Sequence, residues 1–464
     1  MTTNDYPTAA RRSIVRYFVL LILFAVTSIC YADRATISMA APAISRELGL
    51  SPVTMGYILS SFAFAYVLFQ IPGGALLDRF GSKLVYATAL ICWSAFTVMQ
   101  GLTNLLAGGL VVAALFLTRF LMGVAEAPCF PGNARIVATW FPTSERGTAS
   151  AVFNSAQYFS LVAFAPLMGW LLHRFHWPVL FFVMGGLGLA AAAVFLAFVR
   201  DPRRHPQINA AELSYITRGG ALVNIEEAEA KRGGGFTWRN VRQIISSRML
   251  IGVFVGQYCI NVLTYFFATW FPIYLVDQRH MSILQAGFVA AVPALFGFAG
   301  GVLGGIVSDI LLKKSGSVTF ARKTPLLIGM ILALAIIGCN YAESQWLVIV
   351  LMTIAFFGKG IASLGWAVVS DTSPKALVGV TGGIFNMCGN AAGIVTPIVI
   401  GYIVGATGSF DGALVFVGAH CVLAVFAYFV ITGKIERLEL APDEASASFE
   451  RAQGPAQPME GTPT

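Results

Sequence analysis

Charged side chains are scarce in this sequence. Only 11% of the 464 residues are Asp, Glu, Lys or Arg, whereas 57% are hydrophobic. Soluble proteins carry roughly 25% charged residues, so this composition excludes a water-soluble globular protein. The mean hydropathy of +0.75 agrees with a chain that lies mostly inside a lipid bilayer.

The sequence also lacks the residue patterns of metal sites and enzymes. Its seven cysteines are scattered and form no CxxC or Cys/His spacing, so neither a zinc site nor a disulfide framework is predicted. No nucleophile–base pair or phosphate-binding loop is present, so we expect no enzymatic activity, no cofactor and no metal. The net charge of +8 is interpreted as basic loops beside membrane helices, not as a nucleic-acid surface.

Long apolar runs are what the sequence has in abundance. A helix needs about 20 apolar residues to cross a bilayer, and the chain contains about twelve such runs. The predicted fold class is therefore an all-α membrane protein with 12 transmembrane helices. The predicted spans are 15–41, 53–77, 84–101, 104–137, 148–172, 178–199, 249–276, 282–311, 324–342, 346–370, 377–405 and 412–432.

Lys and Arg concentrate in alternate loops, such as Arg79 and Lys83 after the second span and Lys313 and Lys314 after the eighth. Basic loops stay in the cytoplasm, so both termini are predicted to be cytoplasmic. The polar segment 200–248 between the two halves is predicted to be a linker with a short surface helix around 209–218. The predicted segments are a cytoplasmic N-terminus (1–14), a six-helix bundle (15–199), a cytoplasmic linker (200–248), a second six-helix bundle (249–434) and a disordered cytoplasmic tail (435–464).

The two halves of the chain resemble each other at a constant offset. Residues 142–154 and 374–386 both fit P-x4-G-x5-F-N, with a displacement of 232. A second pair, GALLD at 74–78 and GIVSD at 305–309, is displaced by 231. Such self-similarity indicates duplication. It predicts two pseudo-symmetric six-helix halves in the same orientation, with a substrate site between them near the middle of the membrane.

The loop after the second span carries a compact motif. Gly74, Asp78, Arg79, Gly81 and Lys83 fit G-x3-D-R/K-x-G-x-R/K, which resembles a signature of the major facilitator superfamily. Its glycines allow close helix approach and a tight turn. The resemblance implies a cytoplasmic gate that does not touch substrate.

Five ionisable residues interrupt the apolar spans: Asp33, Arg34, Arg119, Glu126 and Lys359. Such residues are costly in lipid and usually face the interior of a bundle. The three cations suit an anion, because guanidinium groups bind carboxylates through paired N–H bonds. The two acids are candidate proton carriers, since burial disfavours the ionised form of a carboxyl group. Permanent structural ion pairs are the alternative for both.

Polar side chains on other spans predict contacts to hydroxyl groups, because amides both donate and accept hydrogen bonds. Lys359, Ser363, Trp366 and Ser370 fall on one face of the tenth predicted helix. For Gln257, Asn261 and Asn390, ordinary interhelical hydrogen bonds are an equally good interpretation. The further candidates are Asn154, Gln157, Thr264, Asn386 and Asn390.

These residues lie within a resemblance that covers about 15–437. The stretches YADRATIS, QIPGGALLDRFGSK, RFLMGVAEAPCFPGNARIVATWFP, ERGTASAVFNSAQYF, GQYCINVLTYFFATWFPIYLV and FFGKGIASLGWAVVSDTSPK are similar to bacterial aldarate transporters. These are the D-glucarate and galactarate permeases of the anion:cation symporter group, within the major facilitator superfamily. The resemblance implies proton-coupled import of a sugar acid across the inner membrane.

The resemblance also implies roles for individual residues. Asp33 would exchange a proton, and Arg119 and Glu126 would couple proton and substrate. The residues implied to contact substrate are Tyr31, Arg34, Tyr66, Gln157, Gln257, Ser363, Trp366 and Asn386.

Lys359 is a departure from the related monoacid transporters, in which the resemblance implies an uncharged residue. A six-carbon diacid has a carboxylate at each end. We expect Arg34 or Arg119 to hold one carboxylate and Lys359 the other, with Glu126 as an alternative structural partner for Lys359. Ionised Asp33 is expected to compete with substrate for Arg34.

The leading interpretation is a monomeric, proton-coupled symporter of sugar diacids in the lipid bilayer. A monoacid permease or exchanger on the same scaffold is a second interpretation. A transporter-like receptor that binds without translocating is a third.

Overall fold

Twelve helices long enough and apolar enough to cross a membrane make up the computed structural model, which describes residues 12–142, 145–223, 238–374 and 377–439. This confirms the predicted number of spans. The helices are α1 (Val15–Leu48), α2 (Pro52–Leu77), α3 (Ser82–Leu105), α4 (Gly109–Trp140), α5 (Thr148–Arg174), α6 (Trp177–Phe198), α7 (Arg248–Thr269), α8 (Ile283–Ser315), α9 (Val318–Tyr341), α10 (Gln345–Thr372), α11 (Val380–Thr407) and α12 (Asp411–Ile431).

The first helix is longer than predicted. It continues through Pro42 and ends where Gly49 takes a left-handed conformation with φ of 63°. A residue without a Cβ adopts this conformation at little cost, which makes glycine the usual helix terminator. The apolar run marks where α1 crosses the bilayer, whereas Gly49 marks where its backbone stops.

Breaks in α4 and α10 lie next to residues that were predicted for the site. The break in α4 falls between Glu126 and Cys129, at Pro128, as the prolines predict. The break in α10, between Ile361 and Gly365, contains no proline and was not predicted. Glycines at 358, 360 and 365 weaken this stretch, because glycine is a poor helix former. The break lies between Lys359 and Trp366, yet both residues and Ser363 line the same cavity between the halves.

The same packing pattern is found in both halves. In the first half, α1 packs on α5 and α6, α2 on α4, and α3 on α4 and α6. In the second half, α7 packs on α11 and α12, α8 on α10, and α9 on α10 and α12. When six is added to each helix number in the first half, the list of packing partners becomes that of the second half. The repeat predicted from the sequence is therefore a repeat of tertiary structure.

The halves meet along α2 with α11 and α5 with α8. We call the face with the loops at Gly49, Gly108 and Gly408 the distal face, and the face with Val15, Gly81 and Gly316 the N-terminal face.

At the distal face the halves are in close contact. A Cβ on Gly56 would lie 2.6 Å from the carbonyl oxygen of Pro397, and the hydroxyls of Tyr57 and Tyr402 are 3.2 Å apart. Towards the N-terminal face, Gly74 and Gly305 have open space around the Cβ position.

The linker helix spans Ala210–Arg218 and is packed against the first half. Asn209 caps its start through a 2.8 Å bond from the Glu212 amide, so the predicted short helix is confirmed. Glu212 is fully buried and accepts bonds from the Val15 and Arg16 amides and the Arg16 guanidinium at the start of α1. Residues 1–11, 224–237 and 440–464 of the predicted termini and linker lie outside the described residues.

Candidate functional site

A cavity of about 560 Å³ lies between the two halves. This size falls in the range of small-molecule sites. The structure brings all eleven predicted substrate-binding residues to its wall. They are Tyr31, Arg34, Tyr66, Arg119, Gln157, Gln257, Asn261, Lys359, Ser363, Trp366 and Asn386.

An ion pair between α1 and α4 lies at one side of this cavity. The Nε of Arg34 donates to Oε1 of Glu126 at 2.6 Å, and Nη2 approaches the same oxygen. Glu126 is fully buried, and its Oε2 has no partner among the described residues. The Arg34 guanidinium also lies 4.6 Å from the ring centre of Tyr66 and 4.8 Å from that of Tyr31. The aromatic faces favour a cation here, because their π-systems are electron-rich.

Asp33 lies away from Arg34's side chain and off the cavity wall. Its Oδ2 accepts a 3.0 Å bond from Nε1 of Trp93 on α3, while Oδ1 has no partner among the described residues. Successive residues of a helix point about 100° apart, so Asp33 and Arg34 face different neighbours. The expected competition between Asp33 and substrate for Arg34 is therefore wrong; Glu126 is the carboxylate that holds Arg34.

Arg119 is a buried cation that forms no ion pair with any acid in the part of the chain that the structure describes. Only 2% of its surface is exposed, and Nη2 donates to the backbone carbonyl of Arg34 at 3.0 Å. Its Nε and Nη1 have no hydrogen-bond partner within the described residues. Although Arg119 and Glu126 are two turns apart on one helix, Glu126 pairs with α1 instead. These two nitrogen atoms, which carry three N–H groups, are thus available to a ligand.

Lys359 is a second cation of this kind, contributed by the other half. It is 5% exposed, and its ammonium lies 5.6 Å from the ring centre of Tyr158 and 5.3 Å from that of Phe356. Among the described residues no carboxylate lies within 4.0 Å of it. Glu126 was its expected alternative partner, but Glu126 forms its ion pair with Arg34 instead.

Amide side chains of α7 and α11 line the second half of the cavity. Gln257 donates to Asn261 at 3.1 Å, and Asn390 donates to Asn386 at 3.1 Å. Tyr265 donates to Asn390 at 2.8 Å and so joins the two helices. Of the three amides for which interhelical bonding was considered, only Asn390 shows it, because Gln257 and Asn261 bond to each other within α7. All of these amides line the cavity, where they can also bond to a ligand.

Four residues around the site were not predicted from the sequence. Tyr158 and Tyr265 line the cavity, whereas Trp93 and Cys30 hold the buried acids Asp33 and Glu126. Tyr158 and Tyr265 directly follow polar residues that were singled out, Gln157 and Thr264. Trp93 and Cys30 carry no such signal, because their roles depend on contacts between distant helices.

In the gate motif, the helical backbone of α2 continues beyond its apolar span to Phe80, and Gly81 ends it with φ of 80°, the tight turn that the glycine predicts. Arg79 and Lys83 are exposed, and Gly74 contacts nothing at its Cβ position. The side chain of Asp78 lies outside the described residues.

Comparisons with known proteins agree with this architecture. A profile of the Major Facilitator Superfamily matches residues 23–321. The probable galactarate/D-glucarate transporter GudP of Bacillus subtilis (strain 168) is 56% identical over 436 residues, covering 94% of this chain and 96% of that protein. Its namesake in Escherichia coli (strain K12) is 55% identical over 434 residues, covering 93% and 96%. The D-galactonate transporter of Escherichia coli O6:H1 is 38% identical, covering 93% and 98%. All three are named as transporters, in agreement with the expectation that the protein is not an enzyme.

Solved structures show the same fold. An inward-facing, unoccupied bacterial homologue of the lysosomal transporter Spinster has a TM-score of 0.70 at 18% identity, covering 93% of this chain and 100% of that one. A D-xylose–proton symporter has a TM-score of 0.69 at 14% identity, covering 90% and 98%. From the profile match, the close relatives and the twelve-helix fold, the chain belongs to the Major Facilitator Superfamily of membrane transporters.

Proposed function

We propose that this protein imports a six-carbon sugar diacid, of the D-glucarate or galactarate class, together with protons. The observation that carries the proposal is the pair of buried cations without acids on the cavity wall, Arg119 from the first half and Lys359 from the second. A buried charge is stable only when it is paired, so each cation calls for an anionic group from a ligand. A diacid supplies two such groups at opposite ends.

The charge of the cavity supports a dianion. Arg34, Arg119 and Lys359 contribute +3 to the wall, and the Glu126 carboxylate that holds Arg34 contributes −1, which leaves +2. Both carboxyl groups of a sugar diacid are ionised at neutral pH, since such groups titrate near pH ~4. The amides of α7 and α11 suit the hydroxyl groups between them. The names of the relatives at 56% and 55% identity support the same substrate class.

Proton coupling is assigned to Glu126, with Asp33 as a second candidate. Protonating Glu126 would break its ion pair and release Arg34 for a carboxylate of the ligand. Loading a proton and binding the substrate would then favour each other, which is the requirement for symport. Asp33 has no cation partner among the described residues, and one of its oxygens is unpaired, so a neutral carboxyl group suits its site.

Transport by alternating access accounts for the difference between the two faces of the protein. The distal face is closed by contacts between the halves, whereas Gly74 and Gly305, towards the N-terminal face, have no atom within 4 Å of the Cβ position. With the N-terminal face in the cytoplasm, as the basic loops predict, this is the inward-facing state. A diacid that links Arg119 to Lys359 would draw the halves together and favour an occluded state.

The test is uptake of labelled D-glucarate into proteoliposomes, with and without an imposed proton gradient. We expect accumulation that requires the gradient and is competed by galactarate more strongly than by gluconate or galactonate. Counterflow without a response to the gradient would indicate an exchanger, and binding without counterflow a receptor.

A monoacid permease is the second candidate, favoured by the 38% identity to a D-galactonate transporter. Stronger competition by the monoacids would establish it over the diacid transporter.

A further inference from the structure

Cys30 shares the Glu126 carboxylate with Arg34. Residues four apart lie on one face of a helix, and α1 directs both side chains at the same acid on α4. The Sγ of Cys30 donates to Oε1 of Glu126, the oxygen that also accepts from Arg34. Cys30 is 5% exposed and Glu126 is fully buried, so water does not replace this contact.

We propose that Cys30 is a positioning residue for Glu126, and that its thiol helps to set the pH at which this carboxylate takes up and releases the coupling proton. The inference rests on the proposed proton-coupling role of Glu126. The thiol is a weak hydrogen-bond donor, and Oε2 has no partner within the described residues. Few hydrogen bonds therefore stabilise the ionised form of Glu126, so the loss of one should change how readily the carboxylate takes up a proton.

Other titratable groups surround the carboxylate and set the background against which Cys30 acts. They belong to α1, α2, α3, α4 and α7. They are Tyr31, Asp33 and Arg34 on α1, Tyr66 on α2, Tyr86 on α3, Arg119 and Cys129 on α4, and Tyr265 on α7. Cys30 differs from the other neutral groups because its donor atom contacts the carboxylate directly.

The chemistry predicts opposite effects for two small substitutions. A hydrogen bond to a carboxylate favours its ionised form. Cys30→Ala removes the donor, so Glu126 should keep its proton to higher pH. Cys30→Ser supplies a stronger donor of similar size, so Glu126 should release its proton at lower pH. A cysteine that serves only for packing would not produce shifts of opposite sign.

The experiment is the pH profile of gradient-driven glucarate uptake in proteoliposomes. We expect the midpoint to move up by roughly half a pH unit in Cys30→Ala and down in Cys30→Ser. Cys129, also buried and three residues after Glu126, makes no hydrogen bond to the carboxylate. Cys129→Ala and Cys129→Ser are therefore matched controls, and their midpoints should stay at the wild-type value.

Shifts of the same sign in both Cys30 variants, or none, would overturn the inference while wild-type uptake remains proton-driven. If wild-type uptake ignores the gradient, the proposed function fails and this inference with it. Should Cys30→Ala fold poorly by size-exclusion chromatography, the pH dependence of glucarate binding to Cys30→Ser decides: an unchanged profile rejects the role.

Discussion

Glu126 on α4 holds Arg34 on α1 through a single carboxylate oxygen, inside a membrane-spanning bundle. Replacing Glu126 by Gln keeps the shape of the side chain but removes its charge and its ability to exchange a proton. Glu126→Gln should abolish gradient-driven accumulation of glucarate while counterflow persists. The measurement is uptake and counterflow in the same proteoliposomes.

A suitable control for this variant is Glu47→Gln. Glu47 is an acid at the distal face that bonds to Trp177 and lies outside the cavity wall. The Glu47→Gln variant should accumulate glucarate as wild type does. Accumulation by Glu126→Gln at the wild-type level would remove Glu126 from the coupling mechanism.

The ion pair also predicts how binding depends on pH. Glutamate must be protonated to release Arg34, so diacid affinity should rise as the pH is lowered, for as long as the diacid itself stays ionised. In Glu126→Gln this dependence should flatten at the high-affinity level. Calorimetric titration with glucarate at a series of pH values provides the measurement. An equally steep profile in the variant would show that another group couples protons to affinity.

Lys359→Gln should weaken the binding of diacids but not that of monoacids. Removing one member of a buried charge pair typically costs about 2–5 kcal/mol, which is roughly 30- to 4,000-fold in affinity. Glucarate binding should show this loss, whereas gluconate, with one carboxylate, should be little affected. Lys323→Gln is the matched control, because Lys323 is also buried but lies away from the cavity wall. Equal losses for both ligands would mean that Lys359 supports the fold and does not bind the second carboxylate.

Gly56→Val should open the distal face. The added side chain would collide with the backbone of Pro397, which cannot move aside as a flexible side chain can. Because cysteine labels near Tyr57 and Tyr402 report the separation of the halves there, spin-label distances between them should lengthen. Gly186→Val is the control, since Gly186 has open space around its Cβ position. Unchanged distances in Gly56→Val would show that the contact does not hold this state.

Glu212→Ala should destabilise the protein without altering which sugar acids bind. It leaves the buried guanidinium of Arg16 without one of its two acids, the other being Glu145 at 3.1 Å. Breaking a buried ion pair costs about 3–5 kcal/mol, so the melting temperature in detergent should fall clearly. Glu436→Ala, which removes an exposed pair with Lys434, should melt like wild type. Similar melting of both variants would show that the linker helix adds no stability to α1.

The sequence by itself determined the number of membrane helices and their repeat. Apolar length fixes a crossing, because lipid accepts no unpaired backbone polar groups. The offset of 232 residues between two copies of one motif fixes the equivalence of the halves. It also determined which polar residues face the cavity, because a charge such as Lys359 is tolerated in a membrane only where it avoids lipid.

Only the tertiary structure decided which of these residues are partners. Asp33 and Arg34 are neighbours in the chain, yet they contact Trp93 and Glu126, each on a different helix. Ion pairing depends on distances of a few ångströms between helices, and one sequence contains no record of those distances. The same dependence on distance explains why Arg119 and Lys359 form no ion pair among the described residues. Glu126 can contact one cation closely, and the packing of α1 against α4 brings Arg34 to it.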